Sequence, residues 1–92
     1  MAVYVDEAIW RWRGLRWAHL LADDLDELHR FAHRLGLHRS SFQAPRRSSS
    51  PHYDITAFQR RRALAYGAIP CSRAQIVAVL RRSRQNAARQ VR

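Results

Sequence analysis

The stretch WAHLLADDLDELHRFAHRLG, residues 17–36, joins a short apolar run directly to a helical repeat. WAHLLA at 17–22 reads as a strand. In DDLDELHRFAHRLG, Leu25, Leu28, Ala32 and Leu35 recur at spacings of 3, 4 and 3, the pattern of an amphipathic helix. Asp24 with Glu27 three residues on supplies its capped start, and Gly36 its stop. A strand feeding a helix predicts an α/β domain. On a helical wheel Arg30 and Arg34 face away from the apolar stripe, whereas Asp26, His29 and His33 gather along one edge, where they could share a ligand.

Working outward, VYVD at 3–6 alternates apolar residues and reads as the first strand. The segment IWRWRGLRW between the two strands interleaves Trp10, Trp12 and Trp17 with Arg11, Arg13 and Arg16, and Gly14 marks its turn. Guanidinium groups stack on indoles and bases stack on either, so this loop, with Trp10 and Trp12 as stacking residues, is a candidate grip for single-stranded nucleic acid. More often, large aromatics in a small protein complete its core or a dimer contact.

Downstream, residues 38–51 are rich in Ser, Arg and Pro and have no period, which predicts a mobile loop. Thr56 with Gln59 opens a second helix near 57–66, with Ala57, Phe58, Leu64 and Ala65 as its apolar face and Arg61 in the middle of that face. A buried guanidinium needs a carboxylate, carbonyls or an anion, so Arg61 is expected to meet one unless it snorkels past its neighbours to water. AIPC at 68–71 reads as a short edge strand because of Pro70. Ser72 with Gln75 starts a third helix near 73–84, with Ile76, Val77, Val79 and Leu80 inward, and 85–92 is expected as a basic tail. The expectation is one small α/β domain over 1–84, with about three strands (2–6, 17–22, 68–71) and three helices (25–35, 57–66, 73–84).

Ninety-two residues build one small core. The single Cys71 forms no intrachain disulfide, and in an apolar strand it has no neighbouring base to make it a nucleophile. MAVYVDEAIW carries acids where a secretory signal has its basic start, which predicts a cytoplasmic protein, and no apolar run is long enough to span a bilayer. The formal charge is +10, from 17 arginines and no lysine against 7 acids. The bland explanation of arginine in place of lysine is GC-rich coding, which would not account for the positive excess. Residues 1–36 hold five Arg and six acids, whereas 37–92 hold twelve Arg and only Asp54. The basic surface therefore belongs to the second half, and it suits polyanions.

PHYDIT at 51–56 sets His52, Tyr53 and Asp54 side by side. The bland reading is a helix entrance, with Asp54 favouring the helix dipole, His52 bonded locally and Tyr53 in the core. The sharper reading follows from ligands sitting beyond the carboxyl ends of strands, where Asp6, Glu7 and Asp23 are placed. If the loop after 36 folds back over that edge, Asp6, Asp23, His52 and Asp54 form a carboxylate and imidazole cluster for a divalent metal, with His52 or Asp54 catalytic. His19, sharing a face with Trp17 and Leu21, reads as a satisfied core histidine. Neither HExxH nor paired CxxC spacing is present.

Taken together, VYVDEAIW, RWAHLLADDLDELHRFAHRLGL, FQ, PHYDIT and RRALAYGAI resemble the domain-of-unknown-function 4031 family of small bacterial and phage proteins, over about residues 2–70. The resemblance implies that Asp6, His19, Asp23, His29, His52, Tyr53 and Asp54 match family motif positions, and it implies no activity.

Three functions follow from the residues. The leading one is a binding module for a phosphate-rich ligand, nucleic acid or nucleotide, using Arg61, Arg46, Arg47, Arg81 and Arg82. The second is a metal-dependent phosphodiesterase built on the Asp and His cluster, with Arg61 steadying the phosphate. The third is an assembly protein whose Trp loop forms a homodimer.

Overall fold

The computed structural model describes residues 2–8, 10–43 and 51–90. Among them six strands form one mixed sheet: β1 Val3–Val5, β2 Trp10–Trp12, β3 Leu15–Ala22, β4 Phe42–Gln43, β5 His52–Thr56 and β6 Ile69–Pro70. Helices α1 Leu25–Arg34, α2 Ala57–Ala65 and α3 Arg73–Gln90 pack on it, and a 3-10 turn covers Arg39–Ser41. The small α/β domain is the expected one, but its sheet has six strands rather than about three.

β3 is the hub of the sheet, whose order is β4-β5-β3-β1-β6 with β2 also on β3. Leu20 pairs with both Val5 and Tyr53, and Trp17 with both Trp10 and Thr56. A strand has two edges, so β1 and β2 follow one another along one edge of β3 while β5 occupies the other. Between Val5, opposite Leu20, and Trp10, opposite Trp17, the β1–β2 edge spends more residues than β3 does. That is a bulge beginning at Asp6, and bulges re-aim side chains.

Strand alternation separates two cores. Val3, Val5, Ala18, Leu20, Tyr53 and Ile55 point to one face, against Leu28, Phe31, Ala32 and Leu35 of α1 and Ala63 of α2. Tyr4 and Leu21 point to the other, against Ile76, Val79 and Leu80 of α3 and Cys71. The register Leu21, His19, Trp17 continues along this second face past the apolar contacts of α3. There the sheet meets solvent with polar residues.

Several expectations change. WRW at 10–12 is a strand, because Arg13 and Gly14 both take positive φ, 52° and 73°, and close a two-residue hairpin with Trp12 opposite Leu15. PHYDIT is a strand as well as the entrance to α2: in β5, His52–Thr56 alternates half-buried and buried residues with Tyr53 and Ile55 inward, and its last residue, Thr56, caps the helix. Of the loop expected at 38–51, Arg39–Ser41 and β4 are regular structure, and 44–50 lie outside the described residues. Thr56 and Gln59 do form a reciprocal capping box, but the inward face of α2 is Ala63 with Leu64, and Phe58 is 61% exposed. Arg60, three and four residues before that pair, is the arginine that turns inward, donating from Nε to the Asp6 carbonyl at 2.6 Å, while Arg61 is exposed. In α3, Ile76 and Val79 are buried as expected but Val77 is 50% exposed, and the helix continues to Gln90 through part of the segment expected as a tail.

Candidate metal centre

The antiparallel register sets His19 of β3 opposite Asp54 of β5. On the other edge, Asp6 follows β1 and its N–H donates to the His19 carbonyl at 3.3 Å. Asp6, His19 and Asp54 thus form a row across three neighbouring strands, and His52, two residues before Asp54 in β5, lies beside it. All four are half-buried on the face that α3 only partly covers.

At the bulge Asp6 completes the ladder with its side chain. Oδ1 accepts from the His19 N–H at 2.6 Å, and Oδ2 lies 2.6 Å from His19 Nδ1. This pairing, opposed by burial and reinforced by the Asp6 and Asp54 charges, raises the His19 pKa above its usual value. It also fixes the ring: with Nδ1 on Asp6, Nε2 is the nitrogen directed at Asp54, 3.9 Å from Oδ1. His52 Nε2 lies 3.3 Å from the same oxygen, and the two imidazoles meet edge to face at 5.3 Å. Asp54 Oδ1 is inaccessible to solvent, yet among the described residues no donor is aligned to hydrogen-bond it. A buried carboxylate oxygen in that state is costly unless a cation meets it.

One ligand atom from each of His19, His52 and Asp54 lies within 4.8 Å of the others, the arrangement that can hold a metal ion. Bonds of about 2.1 Å place ligand atoms about 3.4 Å apart, so closure needs side-chain adjustments of only about 1 Å. Two imidazoles and a carboxylate suit a borderline transition ion such as Zn²⁺ better than Mg²⁺, and three protein ligands leave a position for water.

Of the residues expected at a metal site, His52 and Asp54 converge and Asp6 backs His19. Asp23 sits elsewhere, beyond the end of β3, where it accepts from the Tyr4 hydroxyl at 3.2 Å and pairs with Arg82 Nη2 at 3.2 Å. Arg82 thus ties α3 to the sheet. Arg81 is exposed, Arg61 is exposed with its guanidinium 5.8 Å from the Phe58 ring, and Arg46 and Arg47 lie outside the described residues. The arginines expected to bind phosphate do not gather into one described pocket. His29 turns to Tyr53, with Nδ1 2.8 Å from the hydroxyl, while Asp26 and His33 stay exposed, so that helix edge gathers no ligand group among the described residues. Burial pushes the Cys71 thiol up, away from thiolate. Trp12 is 51% exposed, whereas the Trp10 side chain lies outside what is described.

His19 is the member of the candidate cluster that its own sequence context presented as a satisfied core histidine, although the family resemblance set it at a motif position. Its signal was the strand period itself: pairing VYVD antiparallel to WAHLLA with Val5 opposite Leu20 puts Asp6 opposite His19.

Fold and site together define a small α/β domain with an imidazole and carboxylate cluster on a half-open sheet face. A family model described as a protein of unknown function, DUF4031, matches residues 3–83, and the chain belongs to that family. The match extends the resemblance seen in the sequence into α3. No curated protein and no solved structure gives a significant match. No helix among the described residues is long and apolar enough to cross a membrane.

Proposed function

We propose that this domain is a metal-dependent phosphodiesterase in which His19, His52 and Asp54 hold one divalent ion and Asp6 orients His19 from behind. The convergence of those three side chains, with Asp54 Oδ1 buried and lacking an aligned donor, carries the reading. A carboxylate on the far nitrogen of a ligating histidine fixes its tautomer and raises its basicity, which is the arrangement of His19 and Asp6. A divalent ion held there would lower the pKa of a bound water to about 7 and so supply a nucleophile at neutral pH. Attack on phosphorus would break the ester P–O bond, and the leaving oxygen would take a proton from water. A net charge of +10 favours a phosphate substrate over a neutral ester. The phosphate-binding function read from the sequence becomes the substrate side of this chemistry.

Isothermal titration of the chelator-treated chain with Zn²⁺, Mn²⁺ and Co²⁺, followed by assays of bis(4-nitrophenyl) phosphate hydrolysis, tests the reading. One ion per chain and turnover lost in Asp54→Asn support it. Stoichiometric metal without turnover of any phosphodiester would leave a binding domain and remove the hydrolase.

A further inference from the structure

Trp12, Leu15 and Trp17 lie on the sheet face that carries His19. The β2–β3 pairing sets Trp12 opposite Leu15, and the period of two puts residues 15, 17 and 19 of β3 on one side. Trp12 is 51% and Leu15 49% exposed, an apolar tip directly beyond the polar row. The tip is built rather than loose. Trp17 Nε1–H donates to the Trp12 carbonyl at 2.9 Å, the two indoles meet at 5.8 Å and 60°, and the Arg13 guanidinium lies 4.5 Å over the Trp12 ring. On the reverse side Arg11 stands directly opposite Arg16, and both are exposed. Like charges in register repel, and residues 8–22 contain no acid to offset them. An anion between or beside them relieves that repulsion.

We infer that the β2–β3 hairpin is the substrate platform of the domain, holding single-stranded nucleic acid with a base stacked on Trp12 while the flanking strand wraps the outer edge of β2, which pairs only with β3, to set its phosphates on Arg11 and Arg16 of the reverse side. This rests on the phosphodiesterase reading for its catalytic consequence but not for its binding. Unpaired bases offer the π-faces that an exposed indole and a stacked guanidinium accept, whereas a duplex hides them in its own stack. Leu15, opposite Trp12, and His19 are four residues apart on β3, about 13.6 Å along the strand. That is about four stacked steps of 3.4 Å, so a strand that follows β3 from the hairpin presents a backbone phosphate at the metal cluster.

The test measures fluorescence anisotropy of a labelled 15-nucleotide oligothymidylate with the full chain in EDTA, where no hydrolysis occurs. Stacking of one base is worth about 1–3 kcal/mol, so Trp12→Ala should raise Kd about 5- to 150-fold, and Trp12→Phe should recover part of it. Circular dichroism checks that each variant is folded. The double variant Arg11→Gln/Arg16→Gln reads the same surface independently and should reduce the slope of log Kd against log salt by about 1.4. An unchanged Kd in Trp12→Ala and in the arginine double variant overturns the inference. So does duplex binding as tight as single-strand binding, or a dimer that Trp12→Ala dissolves without any oligonucleotide binding. Hairpin-dependent binding in a chain that hydrolyses no diester sustains the platform and removes the phosphodiesterase.

Discussion

Asp6 contacts His19 twice, at the backbone N–H and at Nδ1, so removing its charge loosens both the ring and the basicity of the opposite nitrogen. Asp6→Asn should therefore weaken metal binding about 10- to 100-fold while one ion per chain is still bound, as titration calorimetry would show. On the opposite face, burial and then the nearby Arg39 charge lower the His29 pKa. The unfolded chain then takes up that proton first, near pH 6.5, so stability from neutral His29 is present above that pH and is lost as pH falls toward the folded value. His29→Gln should shrink the drop in urea midpoint between pH 7.0 and pH 5.5. These two histidines also mark what the sequence made legible. His52 and Asp54 stood out because they lie two residues apart in one short run, while His19 was hidden in an apolar strand, and only a strand register reveals that its facing residue is Asp6.

At the scale of elements, α1 was the most legible because each local cue agreed: cap, apolar stripe and stop. Asp24 Oδ2 accepts from the Glu27 N–H at 3.2 Å, and Leu28, Ala32 and Leu35 are all buried. The hairpin and β5 were not, because their turn and strand chemistry is unusual. Arg13 occupies a positive-φ position where Asn or Gly is the common signal, and β5 contains an aspartate, a poor strand former held in place by its cross-strand partner His19. The face of α2 was misplaced because a short helix dense in arginine gives two nearly equivalent apolar sides, and only packing selects Ala63 over Phe58. Gly14 has φ +73° with open space around it, so Gly14→Ala meets no clash and costs only the backbone strain, about 1 kcal/mol. Urea unfolding measures that loss, and the same variant should also weaken oligonucleotide binding by splaying Trp12 from Trp17.

For the molecule as a whole, stability near 0.05–0.15 kcal/mol per residue gives a chain of this length about 5–14 kcal/mol. Leu20 lies at 0% exposure on the hub strand, so Leu20→Ala should cost about 3 kcal/mol, a large share of that total, read as a fall in urea midpoint. The two-core arrangement has a functional side: the face packed by α1 and α2 holds the fold, while the face that α3 covers around Leu21 leaves the polar row beside it open. Positive charge was evident from composition, but its use depends on a site that forms only when β1, β3 and β5 align. The most direct measurement is a crystal of the zinc-loaded chain with anomalous diffraction collected at the zinc edge. One anomalous peak about 2.1 Å from nitrogen atoms of His19 and His52 and an oxygen of Asp54 is the expected result. A saturated crystal with those three side chains in place and no peak among them would contradict it.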